Sequence, residues 1–195
     1  PSLLPKYRGC SPLQAALRNG DAATGVVIQK MVLAMDAGPI YSQQHYDLDS
    51  ADDIESLADT LANLACHDLE AVILGIVSNS LDPIEQEGAV SFCGKVKKED
   101  GLMDPTVHCA TEFVNALRAF KLWPGVTIDL DEKKLKLLTF NKVDDIELSI
   151  FEFKKINKSV YLGVKEGTLE LMEVQPESKK PMTALAFYNG YLQND

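Results

Sequence analysis

Side chains that hold metals or form cross-links are scarce in this chain of 195 residues, which has three histidines and four cysteines. Cys10, Cys66, Cys93 and Cys109 make no Cys-x-x-Cys pair, so neither a disulfide framework nor a zinc site is expected. The thiols are expected to be small buried or half-buried groups in a reducing compartment. Gly-rich phosphate loops and the His-Glu-x-x-His, Gly-x-Ser-x-Gly and EF-hand patterns are absent, which removes the common signatures of nucleotide, zinc, serine-hydrolase and calcium chemistry. His45, His67 and His108 are scattered, and each is expected to be structural or solvated. No apolar run approaches the ~20 residues that cross a bilayer, and no basic-then-apolar leader is visible in the sequence as written. Repeats and low-complexity tracts are also missing.

What is present is an ordinary globular composition, 46% hydrophobic and 25% charged, with a net charge of -10. That charge is uneven. Residues 1–86 hold 4 Lys/Arg against 12 Asp/Glu, and residues 87–195 hold 15 against 17. Neither half is basic, so composition alone does not point to nucleic acid, although local cationic clusters could serve.

Local patterns divide the chain in two. Ser11 as N-cap, Pro12 at the first helical position and Gly20 past the end frame a helix over 12–19. The β-branched run 24–31 and the segment 40–48 read as strands. Residues 49–79 form the clearest helical pattern, with Ile54, Leu57, Leu61, Leu64, Leu69, Val72, Ile73, Ile76 and Val77 on one buried stripe. Asp52, Asp53 and Glu55 suit its N-terminal dipole. Such a helix of ~26 residues would run about 40 Å, enough to cross the face of a sheet. Pro83, Gly88 and Gly94 mark a boundary, giving a first domain 1–86, a linker 87–94 and a second domain 95–195. The second domain opens with a helix over 106–120, stopped by Trp123-Pro124-Gly125. Five β-rich runs follow, at 126–130, 134–140, 146–153, 160–164 and 168–174, and suggest a small barrel or sandwich. Thr183 caps a last helix over 184–189, closed by Gly190.

Asp36, in Met-Asp-Ala-Gly-Pro, reads by itself as a turn residue. Its company changes that reading. PSLLPKYRG (1–9), NGDAATGVVIQKM (19–31) and MDAGPI (35–40) resemble, in order and spacing, the formyltransferases that use 10-formyltetrahydrofolate. KVKKEDGLMD (95–104), AFKLWPG (119–125) and KKPMTALAFYNGYL (179–192) resemble the C-terminal domain of the methionyl-tRNA formyltransferase family. The resemblance implies an α/β fold class: the C-terminal half of a Rossmann-like formyltransferase domain, followed by a small β-barrel of OB-like type that holds tRNA. It also implies that about the first hundred residues of a full family member are not in this sequence. An Asn-x-His pair, with the catalytic histidine, would directly precede Pro1.

The implied reaction is formyl transfer from the folate to the amino group of initiator methionyl-tRNA. In the family the Asn and a protonated His stabilise the oxyanion, and the Asp favours the cationic His and manages protons through water. Asp36 takes that role by resemblance, and Ser2, Leu3, Leu4 and Pro5 match the folate-binding loop. Folate enters as co-substrate, with no metal and no membrane, and the protein is expected to be a monomer, cytoplasmic in a bacterium or organellar. Lys95, Lys97 and Lys98, at the boundary between the domains, are the preferred tRNA contacts. Lys133, Lys134 and Lys136, and Lys154, Lys155 and Lys158, are further cationic clusters that would bind phosphates without reading sequence. The isolated chain is expected to be inactive. The alternatives are another formylfolate-dependent formyltransferase or hydrolase, and a non-catalytic tRNA- or folate-binding module.

Overall fold

The computed structural model describes residues 1–130 and 133–193, which belong to two compact units, Pro1–Val96 and Lys97–Asp195.

In the first unit a tight loop over residues 3–7 leads to β1 (Arg8–Gly9), α1 (Pro12–Asn19), β2 (Ala23–Gln29), β3 (Ile40–Asp47), α2 (Ile54–Val77) and β4 (Phe92–Cys93). Pro12 begins α1 as the pattern predicts, and Gly20 closes it in the left-handed conformation with φ 66°. Ser11 holds the cap position but makes no side-chain cap, so its expected hydroxyl bond is not formed. β2 and β3 form an antiparallel ribbon with Gly25 opposite His45 and a bulge at Ile28/Gln29. The strand expected to reach residue 31 stops at Gln29, and Met31 turns out to 88% exposure. No broad parallel sheet appears among the described residues of this unit. Its one parallel ladder joins Arg8–Gly9 to Phe92–Cys93.

Further bonds run beside that ladder. Arg8 N–H donates to Ser91 O at 2.9 Å, Tyr7 N–H to Ser91 Oγ at 2.9 Å, and Ser91 N–H to Pro5 O at 3.2 Å. Residues in the stretch 87–94 are therefore strapped to the first unit by main-chain bonds.

α2 starts at Ile54, five residues after the expected 49, so Asp52 and Asp53 lie outside it and Asp53 serves as its N-cap. Asp53 Oδ1 accepts from the Glu55 and Ser56 amides at 2.9 and 3.1 Å, while Ser56 Oγ accepts from Asp53 N–H at 3.0 Å. The two orphan amides of the first turn and the cap's own amide are thus satisfied. Its apolar stripe is buried in part only. Ile54, Leu57, Leu61 and Val72 pack inward, but Leu69, Ile73, Leu74, Ile76 and Val77 are exposed, Val77 at 75%. By length and composition α2 could cross a membrane, a property that the count of unbroken apolar residues missed because Asp59, Asp68 and Glu70 interrupt the run.

The second unit has a short 3-10 turn (Lys98–Gly101), α3 (Ala110–Phe120), β5 (Val126–Leu130), β6 (Lys133–Val143), β7 (Phe153–Ile156), β8 (Ser159–Gly163), β9 (Thr168–Pro176), β10 (Met182–Thr183) and α4 (Ala184–Phe187). Its sheet runs β5-β6-β9-β8-β7, all antiparallel, with β10 added on β9. No ladder joins β5 to β7 among the described residues, so the expected barrel is an open sheet by its hydrogen bonds. Closure depends on strand tilt and stagger, which short β-rich runs do not encode one by one.

Further differences are local. α3 begins at Ala110 rather than 106, because Asp104 Oδ1 ties up the Thr106 amide and hydroxyl at 2.8 and 2.7 Å in a turn. Residues 146–152, expected in a strand, are irregular with a turn at 150–151, where Phe151 has φ 67° and its amide bonds to Gly163 O at 2.8 Å. Thr183 caps α4 through the Ala186 amide at 3.2 Å, as expected. The helix then widens into a π-helical turn over Tyr188–Leu192. The core is made by Phe113, Ile128, Leu135, Leu137, Leu162 and Leu169, all at most 1% exposed. Phe113 meets Phe140 edge-to-face at 6.3 Å. Each fully buried side chain of this size contributes about 1.5–3 kcal/mol relative to exposure.

Candidate functional site

The loop between β2 and β3 presents Asp36 in the left-handed region, at φ 52°. A non-glycine residue rarely adopts this conformation, though aspartate tolerates it better than most. Two bonds fix its carboxylate. Gly9 N–H donates to Oδ2 at 2.8 Å, and Gln29 Nε2 donates to Oδ1 at 3.1 Å. A carboxylate has about four acceptor sites, so each oxygen retains capacity for a further donor.

The donor at Gly9 depends on glycine. Its φ is 132°, and a Cβ there would stand 2.0 Å from the Cys93 carbonyl oxygen. Gly38 is equally constrained, since a Cβ would meet Lys30 O at 1.7 Å. A third tie comes from Gln86, whose Nε2 donates to the backbone oxygens of Asp36 and Gly38 at 2.8 and 2.7 Å.

Asp36 lines a cavity of about 320 Å³ together with Pro1, Ser2, Leu4, Gly9 and Gln29. Within the matched loop, the structure brings Ser2 and Leu4, both buried, to the cavity with Asp36. Leu3 is turned against β2, where its Cδ2 would lie 2.5 Å from a Cβ at Gly25. Pro5 is buried and bonds Ser91 through its carbonyl. Neither Leu3 nor Pro5 lines this cavity.

The remaining candidates lie elsewhere. Lys95, Lys97 and Lys98 are exposed. Lys95 belongs to the first unit and the other two to the second. Lys97 N–H donates to Asp100 Oδ2 at 2.7 Å, and Lys98 shares a small cleft with Lys134, Pro124 and Thr127. His45 and His67 are exposed, and His67 Nδ1 sits 3.1 Å from Asp68 Oδ1. His108 Nδ1 accepts from Asp104 N–H at 3.1 Å. Among the described residues no histidine lines the Asp36 cavity. Cys10 and Cys66 are exposed, contrary to the burial expected of thiols, and Cys93 and Cys109 are half-buried.

Sequence reasoning missed Gly9, Gln29 and Gln86. Gly9 is the last residue of the matched segment 1–9 and carries the one local signal, a glycine that closes the two-residue strand β1. Gln29 and Gln86 have no such signal, because an isolated glutamine in a strand or beside a turn has many ordinary uses.

Two family models match this chain: formyl transferase over residues 1–73, and formyl transferase, C-terminal domain, over residues 95–192. The methionyl-tRNA formyltransferase of Borreliella burgdorferi is 34% identical over 205 residues, covering 99% of this chain and 63% of that protein. The methionyl-tRNA formyltransferase of Sulfurimonas denitrificans is also 34% identical, covering 97% of this chain and 61% of its own length. The chain thus spans somewhat under two thirds of these relatives. Among solved structures, HypX from Aquifex aeolicus matches with a TM-score of 0.73 at 16% identity, covering 100% of this chain and 35% of that one. The methionyl-tRNA formyltransferase from Clostridium thermocellum matches at 0.54 and 18% identity, covering 88% of this chain and 66% of that one. The structural likeness speaks for the fold; the family model that spans half of the residues settles membership, and the chain belongs to the formyl transferase family.

Proposed function

We propose that the first unit supplies the folate pocket and the proton-handling carboxylate for formyl transfer from 10-formyltetrahydrofolate to the amino group of initiator methionyl-tRNA. The observation that carries this reading is the placement of Asp36 in a 320 Å³ cavity shared with Ser2 and Leu4 of the loop. Such a cavity offers apolar wall and backbone polar groups to a flat heteroaromatic ligand. In the reaction the amine attacks the formyl carbon and forms the new C–N bond. The bond from that carbon to N10 of the folate then breaks, the amine loses a proton, and N10 gains one. Asp36 relays that proton, through water, as a general base and acid.

The second unit, an OB-like module, would hold the tRNA, with Lys95, Lys97 and Lys98 contacting phosphates. The protein would act as a monomer in a bacterial cytoplasm or an organelle, without a membrane partner. No imidazole lines the described cavity, and the oxyanion needs a cationic or hydrogen-bonding partner. The isolated chain is therefore expected to bind formylfolate without turning it over.

The test is titration of the chain with 5-formyltetrahydrofolate, a stable formylfolate. Saturable binding is expected, weakened at least about tenfold, or ~1.4 kcal/mol, by Leu13→Trp on the cavity wall. Absence of binding at millimolar ligand would overturn the reading. With the remaining residues of a full-length relative supplied in trans, methionyl-tRNA should be formylated in preference to a nucleotide-linked aminosugar, and the reverse preference would reassign the acceptor.

A further inference from the structure

We infer that Gln86 is a positioning residue for Asp36, acting through the backbone of the 36–38 loop without lining the cavity itself. The inference rests on Asp36 as the proton-handling group. Gln86 stands 50 positions from Asp36 in sequence and bonds both ends of its amide. Nε2 donates to Asp36 O at 2.8 Å and Gly38 O at 2.7 Å, while Oε1 accepts from Arg8 Nε at 3.2 Å and Arg8 Nη2 at 2.7 Å. A primary amide has two N–H donors and two acceptor sites, so these four bonds use it fully. A further approach of Nε2 to Gln29 Oε1, at 3.5 Å, is at the limit of a hydrogen bond.

The amide's orientation follows from its partners. Arg8 can only donate and the two carbonyls can only accept. A flipped amide would set oxygen against oxygen at one end and N–H against N–H at the other.

The loop needs such a tie. Met31, Leu33 and Met35 are 88%, 107% and 68% exposed, so apolar packing does not anchor the segment that leads to Asp36. The left-handed φ of Asp36 is itself unfavourable and must be held by surrounding bonds. Arg8 and Gly9 are neighbours on β1. The strand that grips Gln86 therefore also gives the amide bonded to Asp36 Oδ2. Gln86, gripped by Arg8, holds the backbone of Asp36, and Gly9, the next residue on the same strand as Arg8, holds its carboxylate.

The test uses the whole chain and two signals, the Gly9 amide proton and the ¹³Cγ resonance of Asp36, with the amides of residues 24–28 as internal control. Gln86→Glu keeps the shape and the Arg8 partner but replaces both donors by an oxygen facing two carbonyls. Gly9 amide exchange should become at least about tenfold faster, the size of a lost bond to a carboxylate. The Asp36 resonance should shift while residues 24–28 keep their protection. Unchanged Gly9 and Asp36 signals would overturn the inference. If residues 24–28 also lose protection, Gln86→Met, which removes the donors without adding charge, is read instead with the same expectation and the same overturning result. Both signals are read without substrate, so their constancy would sink the positioning role alone. Failure of the wild-type chain to bind formylfolate would sink the functional reading and leave these signals standing.

Discussion

Gly9 and Asp36, 27 positions apart, are joined by a 2.8 Å hydrogen bond from backbone amide to carboxylate. The bond exists because Gly9 takes a φ of 132° that brings its backbone against Cys93, a place with no room for a side chain.

Replacing Gly9 should therefore damage both fold and site. Gly9→Ala forces a Cβ into the Cys93 carbonyl and should cost about 1–3 kcal/mol of stability from backbone strain. Urea melts give the stability. Titration with 5-formyltetrahydrofolate should show weaker binding even at temperatures where the variant is folded.

The cap of α2 gives a cleaner measurement. Asp53 accepts from two amides and its own amide is satisfied by Ser56. Asp53→Ala should destabilise by about 1 kcal/mol, seen as a lower urea midpoint with an unchanged slope. Ser56→Ala removes the acceptor of the Asp53 amide and the hydroxyl's contacts with Asp53 O at 3.2 Å and Asp52 Oδ1 at 3.4 Å, and should destabilise by a similar amount.

Asp68 yields a pH prediction. Hydrogen bonds from Gln44, His67 and Ser42, in that order of weight, lower its pKa from the usual 3.8 to about 2. The Ser42 hydroxyl donates to it at 2.8 Å and so ties α2 to β3. Because the folded pKa lies below the unfolded one, the stabilisation is complete above the unfolded value near 3.8 and disappears as pH falls through about 2. Carbon-detected NMR should give an Asp68 midpoint near 2. Asp68→Asn should flatten the loss of stability over that window, and a midpoint at the ordinary value would refute the three-donor account.

The exposed half of α2 separates packing from surface. Leu57→Ala and Leu61→Ala, at 0% and 2% exposure, should each cost about 2–5 kcal/mol. Ile73→Glu combined with Val77→Glu should change stability by no more than about 0.5 kcal/mol per site. It should also lower the binding of an apolar dye such as ANS, because that face forms a contiguous exposed patch. Equal destabilisation by both pairs would show that the outer face is packed.

Much of the local structure was written in the sequence. Pro12 and Gly20 bracket α1 to the residue and Thr183 starts α4, because caps and glycine stops act through neighbours in the chain. Asp36 stood out by its resemblance to a family motif, and it lines a cavity with Ser2 and Leu4 of the matched loop. The open sheet of the second unit was not, since pairing depends on stagger between strands far apart in sequence. The outer face of α2 was also illegible, because periodicity shows which side is apolar but not how much of it finds a partner. The frame around Asp36 came from the tertiary structure alone. Gly9, Gln29 and Gln86 reach it from three separate stretches of chain, and their bonds form only once folding brings those stretches within 3 Å or so.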